Sequence, residues 1–151
     1  MTNVDAQVRA LKRPVILGIV FSMTAELVIF ILWGLILFPA GNIFYKFLWA
    51  VVFCGTGMGA TIGAMIQLFV IGNLNGLKAI VACTLLSVVV LGIACNLLCL
   101  NLDSHFHYFG GIEDPYFFIG GGIVLAALSG ALAGWLMFTA KGMKVLDRVG
   151  I

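Results

Sequence analysis

One acid stands inside an apolar run of this 151-residue chain: Glu26, in the block from about residue 14 to 38. It lies about 18 Å along a helix axis from Pro14 at 1.5 Å per residue, near mid-membrane if the block spans one. A charge at that depth costs at least ~2.5 kcal/mol on insertion scales, so an acid placed there normally faces protein and has a role. Counting in from the ends of the other apolar blocks brings Thr56, Ser87 and Ser129 to nearly the same depth. Ser22 precedes Glu26 by one helical turn and shares its face. A carboxyl among hydroxyls has three uses. It can be a neutral, hydrogen-bonded residue that fixes helix positions, a reversible proton or Na⁺ site, or a contact for a partner subunit or cofactor.

A second candidate is Asp103, His105 and His107. On an extended backbone, alternate residues project to one side. Two imidazoles with a carboxylate are a ligand set of the kind Zn²⁺ or Cu²⁺ takes. Three ligands in so short a stretch need a donor from elsewhere, for which Glu113 and Asp114 are the nearest acids. The interleaved Phe106, Tyr108 and Phe109 suit a loop lying on the membrane surface equally well. This loop is the one place where a metal cofactor is indicated. No His falls inside an apolar block, so the usual axial ligand of membrane haem is missing.

Cys54, Cys83, Cys95 and Cys99 all lie in apolar blocks without a C-x-x-C pair, and are expected to pack as small hydrophobes. The glycines are more regular. Gly55, Gly59 and Gly63 repeat G-x-x-x-G in the second block, and Gly122, Ala126, Gly130 and Gly134 keep the same step in the fourth. Small residues at this spacing let helix backbones approach closely where lipid supplies no hydrophobic drive. The simplest expectation packs the second helix on the fourth, with contact to another chain as the alternative. Gly55 and Gly130, like Gly59 and Gly134, stand half a chain apart, which hints at duplication, although the rest of the halves align poorly.

The elements that must position these residues follow from length and composition. The chain is 63% hydrophobic and 9% charged, against roughly 25% charged in soluble domains. Its apolar residues form four blocks, at about 14–38, 44–71, 77–100 and 116–140, each longer than the ~20 residues that cross a bilayer. Continuous runs of that length exclude barrel strands. The expected fold is an all-α, integral four-transmembrane-helix bundle, up-down-up-down, in one membrane domain with a connecting loop at 101–115.

Arg9, Lys12, Arg13, Lys78, Lys141, Lys144 and Arg148 fall on one side of such a bundle, leaving Lys46 on the other. The positive-inside rule makes the first side cytoplasmic, with both termini. Asp103, Glu113 and Asp114 then sit outside. Lys46 and Lys78, at block ends, are expected to snorkel to the headgroups. The first block is too long for a cleaved signal and reads as an uncleaved anchor. Pro39 and Gly41 are expected to stop the first helix. Asn73, Asn75 and Gly76 should turn the chain between the second and third, and Asp114-Pro115 should start the fourth. Tyr45, Trp49, Tyr108 and Tyr116 should form an external aromatic belt. Residues 4–13, with Val4, Val8 and Leu11 on one side, are expected to lie along the cytoplasmic headgroups.

No Ser-His-Asp spacing, H-E-x-x-H or phosphate loop occurs. Gly55-Thr56-Gly57-Met58-Gly59 lacks the preceding strand of a dinucleotide loop. A net charge of +2 spread along a membrane face offers nothing to nucleic acid. Two functions are expected from what remains. The first is a small non-catalytic subunit of a larger membrane complex, docking other subunits or copies of itself. The alternative is an oligomeric proton- or cation-coupled transporter or channel using Glu26. An enzyme stands behind both. The lipid bilayer is the surrounding partner, in the inner or plasma membrane of a bacterium or archaeon.

Overall fold

The computed structural model describes residues 3–37 and 41–151, with backbone alone for 3–10. Pro39, and the side chains of Val4 and Val8, lie outside the described residues. The described residues form helix and no strand. Helix α1 starts at Asn3 and runs to Leu37, its last turns, Leu32–Leu37, wound wider with i→i+5 bonds. Residues 3–13 therefore continue the first helix through Pro14 rather than forming a separate surface segment. Three further helices follow: α2 (Ile43–Val70), α3 (Gly76–Phe106) and α4 (Pro115–Phe138). All four of these helices are long and apolar enough to cross a membrane, and 33–39% of each is buried by the others.

The helix ends have local causes. Asn42, in the left-handed conformation, precedes α2 and accepts from Tyr45 N and Lys46 N through its carbonyl. Asp114 caps α4 by accepting from Phe117 N at 3.0 Å, with Pro115 in the first turn, as its sequence implies. Helix α3 runs past Leu100 to Phe106, so the connecting loop shrinks to residues 107–114. Its C-cap, His107, is left-handed at φ 47°. Thr139 breaks α4 from a fifth helix, α5 (Ala140–Val149), and caps it by accepting from Gly142 N. This helix was hidden in a tail that reads as simple basic flank. Arg13 on α1 holds it, pairing with Asp147 and donating from Nε to Ile151 O at 2.9 Å.

The glycine stripes pack within the chain, but not on each other. Gly59 abuts Gly18 and Ile19 of α1, and Gly63 abuts Pro14 and Val15. Gly130 abuts Cys83 and Ser87 of α3, Gly134 abuts Ile80, and Gly122 abuts Asn96. The second helix therefore lies on the first and the fourth on the third, correcting the expected pairing of second with fourth. In both pairs the contacts run in opposite chain directions. Each stripe uses the earlier helix of its own half. The two pairs join mainly through α1 and α4. There Phe30 meets Phe118, with ring centroids 5.8 Å apart, and Trp33 lies over Gly121.

Candidate functional site

Where α1, α2 and α3 converge, Glu26 is fully buried, with no exposed surface. Ala25, Ile29 and Phe30 of the same helix are buried beside it in the sequence, so the acid lies on the inward stripe of α1. Neither carboxyl oxygen has a hydrogen-bond partner among the described residues. Two thiols lie close to it. A Glu26 carboxylate oxygen, Cys54 Sγ from α2 and Cys95 Sγ from α3 all lie within 4.8 Å of one another, all three residues buried. Cys99, one turn beyond Cys95, is buried as well, and no cysteine is disulfide-bonded.

The expected ring of hydroxyls around Glu26 does not form. Ser22 is buried, yet Glu26 remains unbonded. Thr56 faces outward and donates to its own Val52 carbonyl. Ser87 is buried against Gly130 on the α3–α4 seam. Ser129 is half-buried and donates to Phe21 O at 3.4 Å, on the α1–α4 seam. Equal depth is an axial coordinate. Facing a common point also needs the right rotation of each helix, which depth alone does not supply.

The histidine set is likewise dispersed. Residues 101–106 are helical rather than extended, so residues two apart point about 200° apart around the axis. Asp103 turns inward, 5% exposed. Its Oδ1 accepts from Phe109 N at 2.9 Å and Gly111 N at 3.2 Å, folding the loop back over the bundle. His105 and His107 stay exposed, with His105 Nδ1 3.0 Å from Asn101 O. The pull of two backbone N–H groups on one carboxylate explains why Asp103 leaves the imidazoles.

Lys46 does not snorkel outward. It is buried under the same loop, donates from Nζ to Gly34 O at 3.1 Å, and feels the charge of Asp103. Beside it is a cavity of about 20 Å³, lined in part by Trp33, Glu113, Asp114 and Phe118, with room for one water. Phe109 has no exposed surface and plugs this end, its ring 5.5 Å from Phe30 and 5.7 Å from Trp49. Tyr45 packs on Tyr108 at 4.6 Å. Of the four belt aromatics, three thus help close the end of the bundle, and Tyr116 alone is widely exposed.

Two groups near this axis escape a reading of the sequence. Cys54 and Cys95 look like ordinary packing residues, since nothing in their spacing ties one to the other. Asn96 is fully buried, its Nδ2 donating to Leu91 O and Gly92 O and its Oδ1 unpartnered. An amide inside an otherwise apolar block was the available signal for it.

Four membrane-length helices, three of them meeting at a buried carboxyl, define a multi-pass α-helical membrane protein. No family model matches the chain, and no curated protein or solved structure is similar enough to carry an argument.

Proposed function

We propose that this chain is a small cation-handling membrane protein, a transporter or channel in which Glu26 meets the ion. One observation carries the reading: both Glu26 oxygens are enclosed among three helices without a donor among the described residues. A buried polar group without a partner costs about 1–3 kcal/mol, and more if charged. A chain keeps such a group where something else completes it, and a cation is the natural complement of a carboxylate. The proposed orientation places both termini in the cytoplasm, with four spans up-down-up-down. It rests on seven of the eight basic residues falling on one side. A bacterial or archaeal plasma membrane is the proposed location.

The test is ion flux into liposomes reconstituted with native protein, Glu26→Gln and Glu26→Leu. The amide of Gln keeps the volume and hydrogen-bonding capacity but carries no charge. Flux is expected to vanish in Glu26→Gln at unchanged thermal stability. Equal flux in Glu26→Gln and native protein would overturn the reading.

A non-catalytic subunit of a membrane complex is the second reading. The glycine stripes no longer favour it, because each is consumed within the chain. What favours it is an exposed aromatic edge near one end, where Phe44, Phe47, Phe106 and Tyr116 are 58–89% exposed. Stoichiometric co-purification of another membrane protein in mild detergent would support it, provided that alanine at these aromatics released the partner.

A further inference from the structure

We infer that the ion taken at Glu26 is a thiophilic metal ion of the Zn²⁺ or Cu⁺ type, held jointly by Glu26, Cys54 and Cys95. The inference rests on the proposed role of Glu26 and narrows its ligand class. Two buried thiols alone would be ordinary packing. Here a carboxylate oxygen reaches them from a third helix and finds no donor among the described residues. Each helix of the junction contributes one ligand: Glu26 from α1, Cys54 from α2 and Cys95 from α3.

The spacing fits such an ion. Zinc bonds of about 2.3 Å to sulfur and 2.0–2.2 Å to oxygen put tetrahedral ligand atoms roughly 3.5–3.8 Å apart, and trigonal ones about 4 Å apart. The three atoms lie within 4.8 Å of one another, so small side-chain rotations close the set. Thiolates select Zn²⁺ and Cu⁺ over hard cations. Calcium by comparison takes six to eight oxygens, and this site offers the two oxygens of one carboxylate. Cys99, buried one turn along α3, lies outside this set of three. Ligation requires the thiols to release their protons to water as the ion enters.

The experiment uses the full chain, purified in detergent under reducing, metal-free conditions. Zn²⁺, Cu⁺ and, as a spectroscopic probe for zinc, Co²⁺ are offered separately. Bound metal is counted after equilibrium dialysis. One equivalent of Zn²⁺ or Cu⁺ per chain is expected, with thiolate-to-cobalt charge-transfer absorption for Co²⁺. Cys54→Ser and Cys95→Ser should each weaken binding by more than the roughly 10–100-fold typical of losing an outer-shell partner. Glu26→Gln should weaken binding while keeping the thiolate band. Their metal-free melting temperatures serve as the folding control. Where a variant fails to fold, the stoichiometry and cobalt spectrum of the native chain decide. Absence of a retained equivalent, or retention undiminished in Cys54→Ser and Cys95→Ser, would overturn the inference. Glu26-dependent Na⁺ flux without metal retention would sink this inference and leave the function reading standing. Retained metal without any flux would do the reverse, and neither would sink both.

Discussion

Gly57 and Gly59, two residues apart on α2, should answer the same substitution with opposite signs. A Cβ built at Gly59 would lie 2.6 Å from Gly18 O and 2.6 Å from Ile19 Cα. Comfortable carbon contacts are about 3.5–4.0 Å, so α1 and α2 would have to part by about 1 Å. Both obstacles are backbone, so no side chain can swing aside. At such a gap each neighbouring atom pair forfeits a quarter to a half of a well of ~0.1–0.2 kcal/mol. Over a few tens of pairs along the seam, Gly59→Ala should destabilise by about 1–3 kcal/mol, the range for overpacked cores. At Gly57 the nearest atom to a new Cβ is Val52 O at 4.0 Å, and the residue faces outward. There the lower entropy of alanine in the unfolded chain dominates, and Gly57→Ala should stabilise by about 0.5–1 kcal/mol. Helix content followed by circular dichroism through thermal and SDS unfolding, in one detergent, measures both. A Gly59→Ala protein as stable as the native one would refute the close approach of α1 and α2.

Asp103→Ala removes the acceptor for Phe109 N and Gly111 N and should cost about 2 kcal/mol or more, Asp103→Asn less. Protease cleavage between residues 107 and 111 should speed up accordingly, and an unchanged rate would show that other contacts hold the loop. At the other end, the Asp147 side chain is 62% exposed, so its ion pair with Arg13 should contribute under ~1 kcal/mol. Arg13→Ala also loses the bond to Ile151 O and should raise hydrogen exchange in α5 more than Asp147→Ala does; equal effects would assign the docking to the ion pair alone. Because all four native cysteines are buried, single added cysteines can be labelled in the native background. An impermeant maleimide should reach His107→Cys from outside and Lys144→Cys only after permeabilisation. Labelling of both from one side would rule out four spans.

The four membrane-length helices were legible because hydrocarbon thickness converts directly into a count of apolar residues, and each block exceeds that count without interruption. The start of α4 was legible for a similarly local reason, since Asp114 and Pro115 act within their own turn. The ends elsewhere were less so. The sequence of residues 101–106 is polar enough to read as loop, yet Asp103 and its bonds to Phe109 and Gly111 hold the chain helical to Phe106. Lys46 reads as a snorkelling residue until the loop folds over it.

By itself, then, the sequence determined how many membrane-length helices there are, where small residues let backbones touch, and that one acid lies deep in the first of them. These are properties of a single helix: its length, its periodicity and an axial coordinate. Only the tertiary structure decided which helix each stripe meets and what Glu26 faces. A glycine stripe permits close approach to any partner, and only the packed bundle set α2 on α1 and α4 on α3. The hydroxyls that share the depth of Glu26 point to other seams or outward. Cys54 and Cys95 face it instead, because the rotation of each helix about its axis is set by all its packing contacts at once, and no single helix encodes it.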